Sequence, residues 1–134
     1  MKNANVTVDY HTCVGMYPRE LREIKSRSCS GVQISPRHIL TAAHCVLEKD
    51  LKRMLSVSGF KIYFGSDCVR PIGCVTPHYA VKITAKKYTG YSADDLAIIA
   101  LRDNVSPREA LPICMPQKRT VLAKLLKAAG AGID

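Results

Sequence analysis

The 134 residues suffice for one domain with its own core, and 47% hydrophobic against 23% charged residues is an ordinary globular balance. A net charge of +9, from 20 Lys and Arg against 11 Asp and Glu, raises nucleic acid as a partner, but the basic residues are scattered and no aromatic side chains interleave with them for base stacking. No apolar run reaches about 18 residues, so neither a membrane-spanning helix nor a membrane partner is expected.

Residues 1–18 are polar and irregular and read as a leader ending at Tyr17-Pro18. "ELREIKSRSCSGVQIS" (20–35) predicts two short strands joined by a polar turn, and "HILTAAHCVLE" (38–48) a strand ending in a short helical turn. "KIYFGS" (61–66) and "YAVKITAKKY" (79–88) alternate like half-buried strands, with the Pro- and Gly-bearing loop "CVRPIGC" (68–74) between them. "LAIIAL" (96–101) is continuously apolar and reads as a fully buried strand. Short strands separated by turn residues predict an all-β barrel or sandwich. "RTVLAKLLKAAGAG" (119–132) runs the other way. Val121, Leu122, Leu125 and Leu126 fall at helical spacing, and Gly130 suits a C-cap.

Six cysteines point to disulfides and an oxidising compartment. The sequons Asn5-Val6-Thr7 and Asn104-Val105-Ser106 make Asn5 and Asn104 possible glycosylation sites, the second weakened by Pro107. Yet "MKNANVTVDYHTC" has no apolar stretch of signal-peptide length. A secreted, extracellular protein is expected, in a form that is a fragment or has lost its export signal.

His44, behind Ala42 and Ala43, fits either a packed core turn or a general base. A base needs one ring nitrogen free and the other held by an acceptor. The two alanines let the turn pack close. A Cys29–Cys45 bond would close a loop of roughly 15 residues, about 3 kcal/mol on the chain-entropy model. In "SADDLAIIAL" (92–101), Asp94 and Asp95 stand at the mouth of the most apolar run, where a carboxylate requires a hydrogen-bond donor. An imidazole N–H would serve; so would a simple turn. Cys68, Cys74 and His78 offer metal donors at a spacing that matches no zinc pattern and with no fourth ligand. No metal and no cofactor are expected, and His11, His38 and His78 receive no role.

"CSGVQISPRHILTAAHC" (29–45) resembles the histidine region of the trypsin/chymotrypsin family of serine proteases, where Cys-x-Gly, a short strand and Leu-Thr-Ala-Ala-His-Cys follow in order. "DLAIIAL" (95–101) is similar to the family's Asp-Ile-Ala-Leu-Leu-x-Leu, and "LPICMP" (111–116) to the Pro-Ile-Cys-Leu-Pro beyond it. The resemblance covers roughly 14–116. It implies that His44 is the general base, that Asp95 rather than Asp94 orients it, and that Cys29–Cys45 is the histidine-loop disulfide. Four cysteines remain, allowing three pairings. The resemblance implies Cys13–Cys114, which leaves Cys68–Cys74.

The implied fold is all-β: the first, N-terminal six-stranded antiparallel β-barrel of the trypsin-like two-barrel fold. Residues 19–116 would form it. Residues 117–134 would be the inter-barrel linker and the start of a second barrel absent from these residues, with "AAGAGID" resembling the family's Gly-Trp-Gly region. On that reading the helical pattern at 119–132 is misleading. The nucleophile motif Gly-Asp-Ser-Gly-Gly does not occur, and "GSD" at 65–67 is a scrambled echo that gives Ser66 no role. The oxyanion donors and specificity pocket belong, in this family, to the second barrel. "CVGM" (13–16) faintly resembles an activated N-terminus, but Thr12 precedes it rather than Arg or Lys, so tryptic activation is not implied.

Two functions compete. One is a serine endopeptidase acting on a protein or peptide substrate once a second barrel completes it, and inactive as this chain alone. The other is a non-catalytic, protease-derived binding or regulatory protein. In either case the exposed inter-barrel face is expected to take a second chain or to self-associate.

Overall fold

A computed structural model describes residues 5–14, 23–48, 53–64, 76–85 and 94–127. Six strands follow one another: β1 (Asn5–Val14), β2 (Glu23–Ser35), β3 (His38–Thr41), β4 (Phe60–Phe64), β5 (His78–Ala85) and β6 (Ala97–Leu101). Single 3-10 turns lie at Ala43–Cys45 and Val57–Gly59. The strands close into an all-antiparallel barrel in the order β1-β2-β3-β6-β5-β4. Among the described residues no helix is long and apolar enough to cross a membrane.

Period-2 alternation builds the interior. Val6 and Val8 of β1, Phe60, Ile62 and Phe64 of β4, and Ala97, Ile99 and Leu101 of β6 are all buried. Ile39 pairs with Ile99 and Ile99 with Ile83, so three isoleucines form one rung across β3, β6 and β5. Pro36 and Arg37 make the tight turn between β2 and β3, with the Arg37 N–H donating to Ser35 Oγ at 3.1 Å. Arg37 then closes one end of the barrel. Its guanidinium donates to the Leu101 carbonyl from Nε (3.2 Å) and Nη2 (3.0 Å), while the Leu101 N–H returns a bond to the Arg37 carbonyl (2.8 Å).

Three features depart from the sequence reading. Residues 5–14, taken as irregular leader, form β1 and pair with both β2 and β4. The two strands expected in 20–35 are one long strand. β1 pairs along 23–32 and β3 along 32–35, so β2 passes from one partner to the next without a turn. β6 is not buried on both faces: Leu96 and Ile98 are 52% and 39% exposed, on the side opposite Ala97, Ile99 and Leu101. The local helical pattern near the end, which the family resemblance had already set aside, forms no helix over the described residues 117–127, where Val121 and Leu125 are each 91% exposed. So short an amphipathic segment needs a surface to pack on, because nucleation costs more than a few hydrogen bonds return.

Two positions on β2 test the packing. A Cβ on Gly31 would lie 2.8 Å from Ile39 Cγ2, 3.1 Å from the Leu40 carbonyl oxygen and 3.3 Å from Val8 Cγ2. Gly31→Ala is therefore expected to lower stability by about 1–3 kcal/mol, read as a lower urea midpoint. Two residues on, Gln33 is fully buried, and among the described residues neither of its side-chain amide atoms meets a hydrogen-bond partner. Gln33→Met keeps the length and removes the orphaned polar atoms. It should raise stability by about 1–3 kcal/mol, and a loss instead would mean that the amide is satisfied in solution.

Candidate active site

β3 and β6 end together. Thr41, the last residue of β3, pairs with Ala97, the first of β6. The chain leaves β3 into the 42–45 turn and enters β6 from Asp95. The antiparallel pairing thus delivers His44 and Asp95 to the same end of the barrel. The turn is tight: the Cys45 N–H donates to the Ala42 carbonyl at 3.1 Å and the Val46 N–H to that of Ala43 at 3.0 Å. Ala43, Cys45 and Val46 are buried at 0%, 4% and 0% exposure, and only His44 turns outward.

Asp95 binds His44 twice. The His44 backbone N–H donates to Oδ1 at 2.8 Å, and the ring nitrogen Nδ1 lies 2.6 Å from Oδ2. An ionised carboxylate only accepts, so the proton resides on Nδ1, and in the neutral ring Nε2 carries the lone pair. His44 is 56% exposed and Asp95 17% at the side chain, so the acid is the sheltered member of the pair. Asp94 does not take this position. Its carbonyl accepts the Leu96 N–H at 2.9 Å in a local turn. The arrangement is that of an oriented base: a half-exposed ring held at Nδ1 by a sheltered carboxylate.

The Cys29–Cys45 disulfide is present, with a Cα–Cα distance of 6.3 Å, and ties β2 to the residue after His44. Donor atoms of Cys29, His44 and Cys45 lie within 4.8 Å of one another, but two of them are the bonded sulfurs and offer no thiolate to a metal. Beside Asp95 opens a groove of about 550 Å³, lined by Leu40, Thr41, Leu96, Ile113 and Lys127 among others. Sequence reasoning did not locate this groove, nor Thr41, whose buried hydroxyl at a strand end was the available signal.

The remaining candidates lie elsewhere. Cys114 is exposed and its thiol is free, so the expected Cys13–Cys114 bond is not formed. The register explains why. Cys13 pairs with Ile24, whereas the Ile113 N–H is tied to the Gln33 carbonyl. Nine positions of β2 separate these anchors, up to roughly 30 Å, and a disulfide spans about 4.4–6.8 Å between Cα atoms. Cys13 and Val14 are part of β1 rather than a free end. Asn104 is exposed, and Asn5 stands opposite Val32 in the β1–β2 ladder. His78 pairs with Glu109 (2.9 and 3.0 Å) and packs edge-on against Phe64, while His38 Nδ1 lies 2.7 Å from Ser35 Oγ. Cys68, Cys74 and Ser66 lie outside the described residues, as does the side chain of His11.

Burial works to raise the Asp95 pKa, but the His44 N–H, the His44 ring bond and charge, and the Ala43 N–H together hold it below its ordinary 3.8. A depressed folded-state pKa stabilises the fold at pH values above the unfolded pKa. That contribution fades as pH falls through the folded value. Stability measured by urea unfolding should therefore decline below about pH 4, and the decline should be shallower in Asp95→Asn.

Residues 10–133 match the Trypsin family model. The chain is 29% identical over 119 residues to granzyme M of Homo sapiens, covering 87% of this chain and 43% of that protein. It is 24% identical over 102 residues to the proclotting enzyme of Tachypleus tridentatus, covering 72% of this chain and 27% of that protein. It thus spans less than half the length of the curated relatives it matches. Both the family match and the His44–Asp95 geometry lead to one conclusion: the chain belongs to the trypsin family.

Proposed function

We propose that this barrel supplies the general base and its orienting carboxylate to a serine endopeptidase. The observation that carries the reading is the doubly bonded His44–Asp95 pair, which fixes the imidazole with Nδ1 on the carboxylate. In this role His44 Nε2 takes the proton from an attacking serine hydroxyl and passes it to the leaving amine, while Asp95 stabilises the imidazolium and stays ionised. The serine attacks the peptide carbonyl, the amine leaves, and water then hydrolyses the acyl-enzyme. Substrate is a polypeptide. No residue stretch here reads Gly-Asp-Ser-Gly-Gly, so the serine and the oxyanion donors come from a second barrel.

The groove beside Asp95 supports that partner. Leu96 and Ile113, exposed at 52% and 49%, line the groove beside a carboxylate whose hydrogen bonds strengthen when water is excluded. A second barrel seats there, or failing that a second copy of the chain. The Cys29–Cys45 bond supports an oxidising, extracellular setting.

The test is peptide hydrolysis by the protein at its native length. Asp95→Asn should lower kcat about 10⁴-fold, and His44→Ala by at least as much, with folding intact. The 134 residues alone should show no turnover that depends on His44. Full activity in His44→Ala would remove the reading, and a folded native-length protein without activity would favour a non-catalytic, binding role.

A further inference from the structure

The turn that carries His44 is fastened at both ends to adjacent residues of one strand. After it, Cys45 is bonded to Cys29. Before it, Thr41 Oγ1 donates to the carbonyl of Ser30 at 2.9 Å. The β2–β3 ladder pairs Gln33 with Ile39 and Val32 with Leu40 and goes no further. The Thr41 hydroxyl takes up the Ser30 carbonyl where the backbone of β3 has turned away. Thr41 is 5% exposed, and its backbone pairs on the other side with Ala97, two residues beyond Asp95. One residue thus touches both strands that bear on the pair: β2 through its hydroxyl and β6 through its backbone.

We propose that Thr41 is a positioning residue for the His44–Asp95 pair, its hydroxyl clamping the start of the 42–45 turn to Ser30 as the disulfide clamps the end to Cys29. The inference rests on the reading of His44 as an oriented base. With both clamps closed, the three residues between them have little room to shift, and the imidazole is held at hydrogen-bond distance from Oδ2. With the hydroxyl removed, the disulfide alone leaves the turn free to pivot about Cys45. The ring then drifts from Asp95 while the core behind Ala43 and Val46 stays packed. A displacement of a few tenths of an ångström is enough to weaken a 2.6 Å bond.

The experiment is ring-nitrogen NMR of His44 in the 134-residue protein, read through the carbon-bound ring protons at a pH where the imidazole is neutral. Wild type should show one tautomer, protonated at Nδ1. Thr41→Val, close in shape, should shift towards the tautomer mixture of a free imidazole while the methyl signals of Ile99 and Leu101 keep their positions. Thr41→Ser should restore the wild-type pattern. An Nδ1–H tautomer unchanged in Thr41→Val overturns the proposal, as does a Thr41→Ser variant no better than Thr41→Val. A Thr41→Val variant that does not fold also overturns it, because the hydroxyl is then a determinant of stability. A mixed tautomer already in wild type instead removes the oriented-base reading beneath it.

Discussion

Everything at the site depends on where β3 and β6 stop. Their last shared rung, Thr41 with Ala97, fixes how far His44 and Asp95 project beyond the sheet. A slip of one residue would send every side chain of β6 to the opposite face and carry Asp95 away from the turn. The register is held by what it buries. Ile99 fits between Ile39 and Ile83, and a shift would expose all three. Core packing and site geometry are therefore one constraint: the isoleucine rung inside the barrel sets the 2.6 Å contact at its rim.

The pair is well formed and yet open. Asp95 accepts from both the backbone and the ring of His44, which determines tautomer as well as direction. Water still reaches the imidazole, and the carboxylate borders a groove with an apolar lining. Electrostatic interactions of this kind strengthen as solvent is displaced. The barrel presents this pair beside exposed Leu and Ile side chains. The exposed side chains of 121–126 extend the same apolar character beyond the barrel.

Much of this was legible in the residues. The residues alone left His44 and Asp95 open, and it was the resemblance of Thr-Ala-Ala-His-Cys and Asp-Leu-Ala-Ile-Ile to family motifs that picked out the pair now seen in contact, with the disulfide behind it. Alternation located β4 and β5 to within a few residues. Misreadings arose where a long-range partner decides the outcome. Val6, Val8 and Tyr10 alternate as a strand does, but the leader reading masked a period that only pairing with β2 and β4 makes meaningful. Leu96 and Ile98 look like core until the barrel's curvature assigns them the outer face. Gln33 shows the converse, since a polar residue takes an interior position because its place in the register faces inward. Cys114 was paired with Cys13 by resemblance, whereas its thiol is free and the two are anchored nine positions apart along β2.

The most direct measurement is covalent labelling of the native-length protein with a fluorophosphonate, mapped by mass spectrometry. The reagent phosphonylates only a serine whose proton a base removes, with fluoride as the leaving group. The account predicts one labelled serine, with labelling abolished in His44→Ala and strongly slowed in Asp95→Asn. A folded native protein that takes no label, or takes it equally well without His44, would contradict it.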